Sequence, residues 1–190
     1  MSAEFAYQHK DNRKYEIIDG ITYMMARPTA DHMTVEGNIL NVFKNYLKGK
    51  CCRTFNEIDV FFSEKDNFIP DVIIVCKPEI IKKRGIFGTP DLIVEIASPS
   101  TSRKDRMEKF KAYEKYGVKE YWIVSPEEKR VEVYLLEDGK LILDDVYAVI
   151  PDYEYKEMSE KDKALVKFEI KVSFYDDLYV KLEDIFEYIE

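Results

Sequence analysis

Ile69-Pro70-Asp71-Val72-Ile73-Ile74-Val75 and Leu92-Ile93-Val94-Glu95-Ile96-Ala97 are two apolar runs of strand length, each interrupted by a single acid. Their β-branched content suits strands, and a nearly continuous apolar pattern suits strands covered on both faces. An ionised carboxylate inside such a run is costly to desolvate unless it is paired, protonated or bound to a cation, so two of them ask for a shared explanation. Side chains alternate along a strand, which puts Asp71 on a face with Ile69 and Ile73, and Glu95 on a face with Asp91, Ile93 and Ala97. If the strands are neighbours, the two carboxylates meet across the sheet. Oxygen donors of this kind suit Mg²⁺ or Mn²⁺ rather than zinc.

Downstream of the second run, Ser98 to Ser102 reads as a turn and cap segment, and Ser102 followed by Asp105 approximates a capping box. Met107, Phe110 and Tyr113 or Glu114 then recur at helical steps up to Gly117, which stands where a helix C-terminal glycine belongs. Tyr121 to Val124 follows as a strand, and strand, helix, strand over this length is the pattern of a right-handed crossover. Lys109 lies on that helix, among Lys104, Lys111 and Lys115. It is either an ordinary solvated lysine or the positive group that faces the two acids.

Upstream, Lys77 to Thr89 reads as a loop with a helical turn between the two acid-bearing strands, with Lys82, Lys83 and Arg84 clustered and Gly85 and Gly88 as punctuation. Such a basic run is either solvated or in contact with phosphates passing the site. Arg53 to Ser63 alternates imperfectly and suits a strand. Val35, Ile39, Val42, Phe43, Tyr46 and Leu47 recur at helical spacing until Gly49. Asp19-Gly20 and Asp138-Gly139 each separate two strand-like runs and predict hairpins. Pro151 to Lys163 is charged and low in aliphatics, the least structured part. Ala164 to Phe174 alternates as a final strand ahead of the short segment Leu178 to Ile189.

The chain has 190 residues, 46% of them apolar and 14% aromatic, enough for one domain, residues 1–190, with a sizeable core. No run approaches the roughly 18 to 20 apolar residues of a membrane span, and the N-terminus lacks a signal pattern, so no membrane partner and a cytoplasmic location are expected. Cys51, Cys52 and Cys76 have no metal-ligand spacing and read as reduced, structural thiols. A net charge of −8 argues against a protein that coats nucleic acid non-specifically, although a local basic patch is compatible with it.

Ile69-Pro70-Asp71 followed 24 residues later by Glu95-Ile96-Ala97 resembles the core of the PD-(D/E)XK nucleases. Pro90 to Thr101, then Asp105, Lys109, Tyr113, Gly117-Val118 and Glu120 to Val124, is similar to the Uma-type restriction-endonuclease family within that superfamily. Tyr15-Glu16-Ile17-Ile18-Asp19-Gly20 and His32 at the start of the first helix match as well. The resemblance covers about residues 14–150, leaving 151–190 as a C-terminal strand and short helix. In one respect the chain departs from the superfamily: Ala97 occupies the position of the usual lysine. The resemblance implies that the lysine has moved to the next helix, as Lys109.

The fold expected is α/β and restriction-endonuclease-like, a mixed, strongly twisted central sheet flanked by helices with accessory β-hairpins. The resemblance implies a Mg²⁺- or Mn²⁺-dependent endonuclease acting on DNA, with Asp71 and Glu95 as metal ligands and Lys109 as the third catalytic residue. Glu16, Asp105 and His32 are accessory: Glu16 as a further or water-bridged ligand, Asp105 as a cap or a partner of Lys109 one turn away, His32 as a hydrogen-bonded neighbour. Lys82, Lys83 and Arg84 are the candidate nucleic-acid contacts. A homodimer is implied, because cutting both strands pairs two sites. The alternative is a binding module for nucleic acid or protein that keeps the fold without turnover, favoured by the acidic charge and Ala97.

Overall fold

The two acid-bearing runs become adjacent strands at the centre of a six-stranded sheet. The structure, a computed structural model, describes residues 14–97 and 105–190. Strand β9 (Leu92–Ile96) lies between β6 (Val72–Val75), to which it is antiparallel, and β10 (Glu120–Ser125), to which it is parallel. Strands β11 (Arg130–Glu137) and β12 (Lys140–Ala148) extend the sheet beyond β10, and β3 (Arg53–Asn56) closes it beside β6. Every residue of β6 and β9 is buried, which explains why both read as continuous apolar runs.

Two apolar layers cover this sheet. On one face Val72, Ile74, Leu92, Val94, Trp122 and Val124 pack with Val35, Ile39 and Phe43 of helix α1 (Ala30–Leu47). On the other, Ile73, Val75, Ile93, Tyr121 and Ile123 meet Ala112 and Tyr113 of helix α2 (Phe110–Tyr116). That face is also covered by a second six-stranded sheet, ordered β2-β1-β5-β4-β8-β7, whose Ile18, Val60, Phe68 and Ile86 join the same cluster. Its strands are β1 (Tyr15–Ile18), β2 (Ile21–Met24), β4 (Val60–Phe61), β5 (Asn67–Phe68), β7 (Ile81–Lys82) and β8 (Gly85–Phe87). Gly117, at φ 74, ends α2 in the left-handed conformation.

Both Asp-Gly hairpins form. Asp19 and Gly20 have φ of 49 and 79, and Asp138 and Gly139 have 48 and 78, the two positive values that a tight two-residue turn requires. Elsewhere the sequence reading is corrected. The run Arg53 to Ser63 is two strands in different sheets, because the chain turns at Glu57, φ 45, and leaves the central sheet. That change of sheet is why its alternation is imperfect. Lys77 to Thr89 is a 3₁₀ turn (Pro78–Ile80) and the hairpin β7–β8 rather than a loop. A side chain at Gly85 would lie 2.4 Å from the Asp59 carbonyl, so this hairpin docks only with glycine there.

Residues 152–163 contain the short helices α3 (Asp152–Glu157) and α4 (Glu160–Lys163), and the strand expected over 164–174 is confined to β13 (Glu169–Lys171), paired with β14 (Tyr179–Lys181). With α5 (Leu182–Ile185) this segment sends Ile170, Val172, Val180 and Ile185 into the α1 layer. The turn and cap segment Ser98 to Ser102 lies outside the described residues. Cys52 and Cys76 are joined as a disulfide, correcting the reading of three free thiols, and Cys51 is free and exposed. The register Arg53↔Val75 makes Cys52 and Cys76 the next cross-strand pair, a closeness that a spacing of 24 does not reveal. No helix among the described residues is long and apolar enough to cross a membrane.

Asp66 ties the first hairpin to α2. Its Oδ1 accepts from the Asp19 N–H at 2.8 Å, and its Oδ2 accepts from the Tyr116 hydroxyl and, at 3.5 Å, from Lys115. Burial alone would raise its pKa, but the Tyr116 and Asp19 hydrogen bonds and the Lys115 charge outweigh that and hold it below the ordinary 3.8. Asp66→Asn is expected to cost about 1–3 kcal/mol of unfolding free energy at neutral pH. A depressed folded-state pKa gives stability that is full above the unfolded value and fades as pH falls through the folded one, so the difference should narrow on acidification. Urea unfolding at neutral and acidic pH measures both; a constant difference would refute the assignment.

Candidate functional site

The site is assembled at the end of β6 and β9 where their pairing stops. The register runs Ile74↔Leu92, Ile73↔Ile93, Val72↔Val94, and its next step sets Asp71 opposite Glu95. Directly opposed residues of an antiparallel pair share a face, so the two acids point to the same side of the sheet. Asp71 is bound to the end of the ladder: its Oδ2 accepts the Ile96 N–H at 2.5 Å. Both carboxylates are buried.

Lys109 reaches Glu95 from the crossover. It ends a π-helical turn (Asp105–Lys109) that leads into α2, and its ammonium lies 2.8 Å from both Glu95 oxygens and 2.9 Å from Glu16 Oε1. The Lys109 side chain is 5% exposed and that of Glu16 2%, so this is a buried cluster and not a solvated lysine. Glu16 arrives from β1, where it points inward with Ile18, and its Oε1 also accepts the Ile69 N–H at 3.0 Å. The Tyr113 hydroxyl, one turn along from Lys109, donates to Glu95 Oε1 at 2.6 Å. Burial first, then the Glu95 charge, pushes the Tyr113 hydroxyl well above its ordinary pKa, so it stays a donor.

On the other side of Asp71 stand two residues of α1. Thr29 caps the helix by accepting from the His32 N–H, which places His32 on the first turn, and His32 Nε2 lies 3.1 Å from Asp71 Oδ1. Glu36 follows one turn later, buried, with Oε1 accepting from Asn56 at 2.7 Å and Oε2 buried without a hydrogen-bond partner among the described residues. Ligand atoms of His32, Glu36 and Asp71 all lie within 4.8 Å of one another. Burial of the imidazole favours its neutral form, but the Asp71 hydrogen bond and charge, helped by Glu36 and Glu57, outweigh it and raise its pKa above 6.5. Burial raises the Glu36 pKa, with the charges of Asp71 and Glu57 adding to it against the Asn56 hydrogen bond and His32.

Among the described residues, the buried carboxylates Glu16, Glu36, Asp71 and Glu95 thus gather around Lys109 and His32. Converging buried carboxylates, with the Glu36 Oε2 left over among the described residues, suit a divalent cation. His32 and Asp71 are the more exposed members, at 16% and 10% of their side chains, so the cluster opens on their side. The backbone of Asp105 begins the π turn, while its side chain lies outside the described residues. Lys82, Lys83 and Arg84 are exposed on the β7–β8 turn, at the edge of the accessory sheet. Three strand steps from β1 to β8 separate them from Glu16 by about 14 Å, so they do not join the cluster.

An acid pair with a lysine at the end of a mixed sheet between helices defines an α/β protein of the restriction-endonuclease type. Residues 3–173 match the family described as "Putative restriction endonuclease" (Uma2), and the chain belongs to that family. It is 28% identical over 131 residues to the uncharacterized protein slr1290 of Synechocystis sp., covering 67% of this chain and 69% of that one. A crystal structure described as a putative nuclease belonging to DUF820, from Anabaena variabilis, shares the fold, with a TM-score of 0.74 over 98% of this chain and 97% of that one at 21% identity.

Two members of the cluster escaped the sequence reading. Glu36 interrupts the apolar stripe of α1 one turn after His32 and one turn before Leu40, the same anomaly that drew notice to Asp71 and Glu95. Tyr113 reads as core, and its aromatic ring gave no hint of the hydroxyl's partner. Lys109→Met, which takes the ammonium away from Glu16 and Glu95, is expected to destabilise the protein by about 3–5 kcal/mol. Urea unfolding measures it, and a loss under about 1 kcal/mol, the range of an exposed pair, would contradict the buried contact.

Proposed function

We propose that this chain is a Mg²⁺- or Mn²⁺-dependent endonuclease that hydrolyses DNA phosphodiester bonds, with Asp71, Glu95 and Lys109 as its catalytic residues. The observation that carries the reading is the Lys109 ammonium between Glu95 and Glu16, with Asp71 set opposite Glu95 by the strand register. A lysine on the crossover helix thereby stands next to the second acid even though the strand position itself is Ala97. Asp71 would anchor the ion with Glu95 beside it, and the convergence of buried carboxylates, with Glu36 Oε2 unpartnered among the described residues, supports the fit. When bound, the ion supplies Lewis-acid polarisation of the phosphoryl oxygen and lowers the pKa of a water.

The protein's own groups do the rest. Lys109 offers a positive charge to the phosphoryl oxygen that becomes more negative as water adds to phosphorus. Glu16 and Glu95 hold its tip in place, and the Tyr113 hydrogen bond fixes Glu95 in turn. Each partner is itself held by backbone or side-chain contacts, so little reorganisation is left for the reaction. Lys82, Lys83 and Arg84 would meet phosphates away from the scissile bond, positioning the duplex without reading its bases. Cleavage of both strands needs two such centres, hence a homodimer as the working form. The reading of a binding module without turnover draws on Ala97, and Lys109 at Glu95 weighs against it.

Purified protein should nick and then linearise supercoiled plasmid when Mg²⁺ or Mn²⁺ is supplied and stop when the ion is chelated. Asp71→Asn and Glu95→Gln are each expected to lower the rate by at least about 100-fold, as removal of a group that stabilises developing charge does. Wild-type cleavage by Glu95→Gln would sink the mechanism.

A further inference from the structure

We propose that the ion is seated by His32, Glu36 and Asp71, and that this seat selects a first-row transition dication such as Mn²⁺ over Mg²⁺. The inference rests on the metal-dependent reading above and assigns its ligands. Three observations lead to it. Ligand atoms of these three residues lie within 4.8 Å of one another, close enough for one ion to contact all of them. Glu36 is 2% exposed, and its Oε2 is buried with no hydrogen-bond partner among the described residues, a penalty that a cation would remove. Glu95, by contrast, already has both oxygens on Lys109 and one also on Tyr113.

Asp71 divides its duties accordingly. Its Oδ2 is committed to the Ile96 N–H, while Oδ1 faces His32 and is the oxygen turned toward the seat. Asn56 fixes the other Glu36 oxygen, and the Thr29 cap fixes the turn that carries His32, so two of the three ligands are positioned before any ion arrives. One imidazole and two carboxylates form a mixed donor set. Mg²⁺ favours oxygen ligands and keeps its waters, whereas imidazole is a better ligand for transition metals. The Lys109 cluster then lies on the other side of Asp71, leaving its ammonium for the substrate.

Titrating the full-length protein with Mn²⁺, read from the electron paramagnetic resonance signal of the free ion, should show one ion bound per chain. His32→Ala and Glu36→Gln are each expected to weaken binding at least about tenfold, the low end of what loss of a ligand-shell group costs, a larger loss than Glu95→Gln causes. Spin-echo modulation of the bound Mn²⁺ should carry nitrogen coupling in the wild type, kept in His9→Ala and lost in His32→Ala; His9 is the other histidine. Mg²⁺ should displace Mn²⁺ only at about a hundredfold excess or more. Absence of nitrogen coupling in the wild type, or binding that follows Glu95 and ignores Glu36, overturns the seat. Equal competition by Mg²⁺ overturns the selectivity. Mn²⁺ bound in the seat by a protein that leaves plasmid intact would instead keep the seat and remove the nuclease reading.

Discussion

Burying four carboxylates in one place is the constraint that the rest of the structure answers to. Glu16, Glu36, Asp71 and Glu95 come from the accessory sheet, from α1, and from the facing ends of β6 and β9. No one of these elements could shield an acid from water alone. Lys109 compensates two of them, the Ile69 and Ile96 amides and Asn56 take further oxygens, and His32 faces the remainder. Remove the accessory sheet and Glu16 is gone with it. The second sheet is therefore a part of the centre as much as a cover for the core.

Burial of an acid does not by itself mark such a place. Glu120, on β10, is fully buried, yet Trp122 donates to one oxygen and the Ser173 N–H and hydroxyl to the other. Burial raises its pKa, and those donors partly oppose the rise. Its bonds attach the C-terminal segment to the central sheet, a structural task complete in itself. What distinguishes the Asp71 end is that acids from separate elements converge there, with Glu36 Oε2 left without a hydrogen-bond partner among the described residues. The difference lies in how the oxygens are partnered, not in how deep they are.

The central strands were legible because their apolar content is continuous, and the two hairpins because Asp-Gly imposes its own backbone geometry. Helix α1 announced itself through its stripe. The accessory sheet was not legible as a sheet: β4, β5, β7 and β8 are two or three residues long, below the length at which alternation carries a signal, and their partners are distant in sequence. Within the site, Asp71 and Glu95 stood out as acids in apolar runs, and Lys109 emerged from a family likeness that periodicity could not have supplied. Glu36 broke a helical stripe in the same manner, but a single polar residue in an amphipathic helix is a weaker anomaly than an acid in a buried strand. Cys52 and Cys76 met through strand register alone.

The π-helical turn at Asp105–Lys109 sets the direction from which Lys109 meets Glu95 and Glu16. A π turn holds one residue more than the α-helix around it, and each residue of an α-helix advances the side chain by about 100° around the axis. Losing or gaining that single residue rotates everything upstream of it against everything downstream. Lys109 sits at this seam, next to the regular helix that presents Tyr113 to Glu95. One residue gained or lost at this turn would therefore re-aim the ammonium relative to Tyr113.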